Sequence, residues 1–200
     1  MSLKYRVSQS SIHFSALALT LLCGCAAMTS SKEELQTLGP NEGVIVGSVL
    51  LTAAKGDGDE SGWAFFKGRK AGELEYSLSV SEIGFNPLKT TYRLPARPGK
   101  EEVFIRKLPA GSYNMDSISP SGFLAPQLSL TLAIHFIVKP RQTSYIGKLV
   151  VEFPDRITAG SPVRVAILDA QQETLESLKG EHPSIVSNTV KELATSRTLR

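Results

Sequence analysis

Hydrophobic and polar positions alternate with a period of two over most of this chain. The cleanest case is residues 73 to 80, where Leu74, Tyr76, Leu78 and Val80 share one side and Glu73, Glu75, Ser77 and Ser79 the other. That pattern predicts a half-buried β-strand. The longest predicted strand runs from Leu128 to Val138. Leu128, Leu130, Leu132, Ile134, Phe136 and Val138 share its inward face, opposite Ser129, Thr131, Ala133 and His135. Six such side chains, each contributing roughly 1.5–3 kcal/mol on burial, would place this strand at the centre of a core.

The run from Gly43 to Ala53 is almost continuously apolar and rich in Val and Leu, which predicts a buried strand. Shorter strands are predicted at Trp63 to Lys67, Thr90 to Leu94, Glu101 to Leu108, Tyr113 to Ser119, Ser144 to Phe153 and Pro162 to Leu168. Prolines at 87, 95 and 98 bracket the Thr90 segment and mark it as an edge or loop. Helical signals are few. Asp169 to Gln172 can cap a helix carrying Leu175 and Leu178, with Gly180 as its stop, and a second short helix is expected near Thr189 to Ala194. The fold class expected is mainly β, an antiparallel β-sandwich with one or two short C-terminal helices.

The first 24 residues have a different character. Lys4 and Arg6 precede a nine-residue apolar run, Phe14 to Leu22. A membrane-spanning helix needs ~20 residues, so this reads as an export signal that is removed. The run ends in Leu21-Leu22-Cys23-Gly24-Cys25. It resembles the lipobox of bacterial lipoprotein signal peptides, in which a small residue and then an invariant cysteine follow a leucine. Gly24 before Cys25 meets that requirement, whereas Cys23 would have bulky Leu22 at the cut. The alternative is an ordinary signal peptide cut near Ala26-Ala27, or a short uncleaved anchor.

The resemblance implies that Cys25 is acylated and that the chain is held to a membrane by its N-terminal lipid. Ala26, rather than Asp, after the cysteine implies the periplasmic face of the outer membrane. The domain plan expected is a signal peptide over 1–24, a tether over 25–42, a β-sandwich over 43–168 and a helical segment with tail over 169–200. Ser31 and Glu34 in the tether have capping-box spacing, Leu35 and Leu38 form an apolar edge, and Gly39-Pro40 is a stop. A flexible tether of that length would span roughly 20–25 Å.

Two short turns also resemble known modules. Leu108-Pro-Ala-Gly-Ser-Tyr113 is similar to a turn common in transthyretin-like and carboxypeptidase-regulatory-like β-sandwiches, and is expected to return the next strand beside the one before it. Phe136 to Gly147 resembles a hairpin of several uncharacterised envelope lipoproteins.

Charge changes the picture little. The chain has 22 basic and 19 acidic residues, and loss of residues 1 to 24 removes Lys4 and Arg6 and no acid, so +3 becomes +1. That balance makes no case for nucleic acid. Cys23 and Cys25 are the only cysteines. With one discarded and one acylated, no disulfide, thiol catalysis or cysteine–zinc site is expected.

Candidate chemistry is sparse. Asp57, Asp59, Ser61 and Gly62 match the start of a calcium loop, but Gly68 stands where a bidentate glutamate is needed, so a solvated turn is the stronger reading. His135 and His182 lie on separate elements and fall short of a zinc set. No nucleophile elbow, carboxylate pair or phosphate loop is present. Basic residues gather at Lys67, Arg69 and Lys70 and between Arg93 and Lys107, where interleaved acids such as Glu73, Glu101 and Glu102 suggest a mixed solvated surface rather than a site for anionic lipid. Trp63, Phe65 and Phe66 read first as core and second as a sugar-stacking platform.

The function expected is therefore non-enzymatic. It is a lipid-anchored module that binds an envelope protein partner or supports an envelope assembly, with no cofactor and no metal. The alternatives are a carbohydrate or small-ligand module using the strand near Trp63 or the loop near Tyr92, and a hydrolase whose site, including His135, is assembled from distant residues.

Overall fold

The computed structural model describes residues 30, 35, 37–53, 75–84, 90–121, 129–153 and 163–196. Cys25, the Asp57–Gly62 turn, the Trp63–Lys67 strand, the 67–70 basic cluster and Leu128 lie outside these. The described residues form these strands and helices in order: β1 (Glu42–Ala53), β2 (Tyr76–Glu82), β3 (Thr91–Ala96), β4 (Glu101–Pro109), β5 (Gly111–Pro120), β6 (Leu130–Val138), β7 (Thr143–Phe153), β8 (Arg164–Leu168), α1 (Gln171–Leu178), α2 (Pro183–Asn188), β9 (Thr189–Lys191) and β10 (Thr195–Ser196). They form a mainly β sandwich of two five-stranded sheets. Sheet A has the order β4-β1-β7-β8, with β9 also on β7, and sheet B has the order β10-β6-β5-β2-β3. No helix among the described residues is long and apolar enough to cross a membrane.

The alternating strands behave as their patterns require. On β6, Leu130, Leu132, Ile134, Phe136 and Val138 are buried, while Thr131 and Ile137 are exposed. On β2, Tyr76, Leu78 and Val80 enter the core between the sheets. The deepest strands are nevertheless β1 and β7, because both of their faces are covered. Ile45, Val49 and Leu51 of β1 join the inter-sheet core, whereas Val44 and Val46 belong to a second cluster on the outer face of sheet A. Leu35, Ile105, Tyr145 and Ile185 complete that cluster, with Leu38, Leu175 and Leu178 packed around it. β1 and β7 also run parallel, as do β7 and β9, within an otherwise antiparallel sandwich.

Both turns expected to make hairpins instead carry the chain between sheets. β4 pairs with β1 in sheet A, while β5 pairs with β2 and β6 in sheet B. The Tyr113 hydroxyl donates to the Pro109 carbonyl at 2.9 Å, closing the corner at which the strand leaves one sheet for the other. Likewise β6 lies in sheet B and β7 in sheet A. Their turn is tied to β1, with the Arg141 N–H donating to Glu42 O at 2.6 Å and the Val44 N–H to Gln142 O at 2.9 Å. Arg141 takes φ 56° at its tip.

The C-terminal third also departs from expectation. The second helix is Pro183–Asn188, one segment early, with proline in its first turn, where a missing N–H costs nothing. Thr189 to Lys191 is a strand on β7, and Thr195-Ser196 a strand on β6, so the tail enters both sheets. Asp169 sits one residue before the N-cap of α1, and its carboxylate accepts from the Gln171 N–H at 3.4 Å. The N-cap is Ala170, without a side-chain cap bond, and Asp169 pairs with Lys191 at 2.8 Å.

The segment read as a tether is docked where it is described, and Leu35 and Leu38, its expected apolar edge, pack on sheet A. Ser30 is buried, its N–H donates to Ile105 O at 3.2 Å, and its hydroxyl accepts from the Lys107 N–H at 3.0 Å. Leu35 is 7 % exposed. The apolar outer face of sheet A demands cover, and this segment supplies part of it.

Candidate functional site on the outer face of sheet B

The two outer faces of the sandwich differ. α1, α2 and the N-terminal segment close part of sheet A, whereas no helix among the described residues packs on the outer face of sheet B. That face is built by the polar half of each alternation. The register sets two rows across it. Arg93, Ser79, Ser117 and Thr131 form one, and Thr91, Ser81, Asn114, His135 and Thr195 the other. At ~4.8 Å between strands, the five-residue row spans roughly 19 Å. Among the described residues the result is a broad plane of hydroxyl and amide groups, with Thr91, Arg93, Thr131 and Thr195 exposed and Ser81 buried.

Asp116 breaks the alternation. Against β2 it is the extra residue of a bulge on β5, opposite the Ser79/Val80 step, and against β6 it stands opposite Leu132 and Ala133, where the register also shifts. Bulges re-aim side chains, and here the Asp116 carboxylate accepts a hydrogen bond from the Ser81 hydroxyl. His135 is half-buried, with Nδ1 3.1 Å from Tyr113 O. Since a carbonyl only accepts, Nδ1 carries the proton and Nε2 is the nitrogen left for a partner. Ser81 and His135 are separated by Asn114, two strand spacings or roughly 10 Å apart, so they share no hydrogen bond.

The remaining candidates are dispersed. His182 sits at the start of α2 on the sheet A side, where its carbonyl accepts from the Ile185 and Val186 N–H groups. Among the described residues no three His, Cys, Asp or Glu side chains converge as a metal site. Tyr92 is not a free platform. Its ring meets Tyr113 edge-on at 6.5 Å and lies under the Arg106 guanidinium at 5.6 Å. Burial raises its hydroxyl pKa, opposed by Arg106 and reinforced by Glu82.

The basic residues from Arg93 to Lys107 are largely paired. Arg97 bonds Glu75 at 2.8 Å, Lys100 meets Glu102 at 3.1 Å, and Lys107 meets Glu42 at 3.2 Å. This is the mixed surface that the interleaved acids suggest.

Sequence reasoning missed the Asp116–Ser81 pair and the row through Asn114. The bulge shifts Asp116 out of phase, and nothing in the alternation marks which strands become neighbours.

No protein-family model and no curated protein matches this chain. Among solved structures, it is similar to a leucine-rich repeat protein from Bacteroides thetaiotaomicron, with 14% identity and a TM-score of 0.30 over 72% of this chain. The chain spans 16% of the length of that protein.

Proposed function

We propose that this chain is a lipid-anchored, non-enzymatic β-sandwich at the periplasmic face of the outer membrane, which uses the outer face of sheet B to bind another envelope component. The lipobox-like Leu22-Cys23-Gly24-Cys25 supports the anchor, with Cys25 as the acylated residue. The observation that carries the binding reading is the contrast between the faces. One is partly closed by helices and the N-terminal segment, and the other presents Ser79, Asn114, Ser117, Thr131 and His135 in register. Such a plane suits many weak, directional contacts to an extended surface.

The test is photocrosslinking in intact cells from Ser79 and Ser117, with Lys179, the C-cap of α1, as the control. The same partner band is expected from both sheet B positions and not from Lys179. Equal or absent crosslinks from all three would end the reading. The anchor is checked separately by mass spectrometry of the N-terminal peptide, which should begin at Cys25 and carry fatty acid.

A second reading, glycan binding, is favoured by the Arg93, Asn114 and Asp116 groups on the same plane, because sugars are recognised by planar arrays of donors and acceptors. Glycan-array binding abolished by Asn114→Ala would select it over a protein partner.

A further inference from the structure

Three loops meet at one end of the sandwich. The Ala110 N–H donates to Asn41 O at 2.7 Å, and the Arg141 N–H to Glu42 O at 2.6 Å, which ties residues 39–42, 109–111 and 139–142 together. Of the five large exposed apolar side chains among the described residues, three lie at this end: Ile83 at 46%, Ile137 at 49% and Val190 at 49%. Ile137 is paired with Ser112, and the Ile83 N–H bonds Ser112 O at 2.8 Å, so the two isoleucines flank one residue. Val190 lies opposite Ser144 at the start of β7 and lines an open cleft of about 620 Å³ with Leu38, Pro140 and Arg141. Pro40, Pro109 and Pro140 at the turns are also exposed.

Charge is close to balanced at both ends, and Glu82 stands beside Ile83 at this one. Lys107 and Lys139 are paired here with Glu42 and Glu192. Arg141, exposed at the tip of its turn, forms no ion pair among the described residues. At the other end Glu75, Glu101 and Glu102 are paired with Arg97, Lys148 and Lys100, and Glu152 lies beside Arg164.

Chain length supplies the second constraint. Ser30 is held on β4, and Cys25 is five residues earlier. Five residues reach at most ~18 Å, so a lipid on Cys25 keeps the bilayer within about one sandwich length of Ile105.

We infer that the end bearing Ile83, Ile137, Val190 and Arg141 rests on the phospholipid bilayer, its aliphatic side chains at the interface and Arg141 against anionic headgroups. This rests on acylation of Cys25, as proposed above. Docking at this end turns the outer face of sheet B sideways, along the membrane rather than into it.

The test uses the acylated full-length protein in vesicles of phosphatidylethanolamine and phosphatidylglycerol. Cys25 is blocked by its lipid, so a single cysteine introduced as Ile137→Cys, Val190→Cys or Lys100→Cys takes a fluorophore selectively. All three positions are exposed. A lipid-borne quencher should dim the labels at 137 and 190, while only aqueous iodide reaches the label at 100. Arg141→Glu should lower the lipid-borne quenching several-fold. Equal iodide access at all three positions, with mass spectrometry confirming acylated Cys25, would overturn the orientation while leaving the anchor intact. An unacylated Cys25 would overturn both.

Discussion

Gly47 of β1 lies directly opposite Gly147 of β7, and neither position has room for a side chain. A Cβ on Gly47 would stand 2.7 Å from Gly147 O and 2.7 Å from the Phe104 ring. Gly147 has φ +112°, and a Cβ there would meet Ile167 at 2.7 Å. The pair marks the point where the β1–β7 register shifts. Before it, residues 143–145 pair with β9; after it, residues 148–152 pair with β8. The bulge lets one strand serve two neighbours on the same side. Gly147→Ala should destabilise by about 1–3 kcal/mol through backbone strain, and Gly47→Ala by about the same through overpacking. Urea denaturation should show both as lowered midpoints with an unchanged slope.

The Tyr113 corner yields a cleaner test. Tyr113 is fully buried, stacks on Phe136 at 5.6 Å and donates to Pro109 O. Burial raises its hydroxyl pKa, with Tyr92 and Glu82 adding to the effect. Tyr113→Phe keeps the ring and removes one buried hydrogen bond, at a cost of about 1–2 kcal/mol. Thermal melts should show that loss with an unchanged circular dichroism spectrum.

How far the fold could be read from sequence depended on the range of the interaction. The alternation of β2 and β6 is local, because solvent on one side and core on the other act on each side chain singly, and both strands stand where their patterns lie. The burial of β1 was also legible from its apolar run, whereas the second cluster that covers Val44 and Val46 on its outer face was not. Nor was pairing. The turn at Pro109 to Gly111 has the residues of a hairpin, but the Tyr113 bond and the demands of β1 send β4 and β5 into different sheets. At Pro183, proline marks a helix start, whereas the apolar spacing of Val190 and Leu193 mimics a helix that the free edge of β7 claims as strand. The polar plane of sheet B was visible strand by strand, but its rows needed the strand order.

Acid should unfold the protein through its paired carboxylates. Partial burial opposes ionisation of Glu101, but hydrogen bonds from Lys148 and Ser48 outweigh it, and its pKa falls below the ordinary 4.5. The Lys139 and Gln142 bonds lower that of Glu192 in the same direction. A carboxyl lowered in the folded state contributes stability above its ordinary pKa, and loses it as pH falls through the folded value. The melting temperature should therefore drop as pH falls below about 4.5. Glu101→Gln should melt lower than the parent at pH 7, because Lys148 loses its partner, and should fall less on acidification. Equal slopes for the two proteins would show that the Glu101 network does not couple folding to pH.

The docked N-terminal segment makes the last prediction. Leu35 sits among Val44, Val46, Ile105, Tyr145 and Ile185 on the outer face of sheet A, and Ser30 adds two backbone contacts to β4. If this segment covers sheet A as an integral part of the fold, Leu35→Ala should cost about 2 kcal/mol, the low end for a buried leucine because the site is near the surface. It should also loosen Ser30, so the Lys107 amide, which donates to the Ser30 hydroxyl, should exchange hydrogen faster. Amides in the inter-sheet core, such as that of Ile134, should slow or hasten only with global stability. Hydrogen exchange followed by mass spectrometry separates the two effects. Faster exchange confined to residues 105–107 identifies a locally detachable cover. Uniform acceleration shows that segment and sandwich unfold together. No change at Lys107 would mean that the segment spends its time off the sheet, and that the domain hangs on a longer leash than the Ser30 contacts allow.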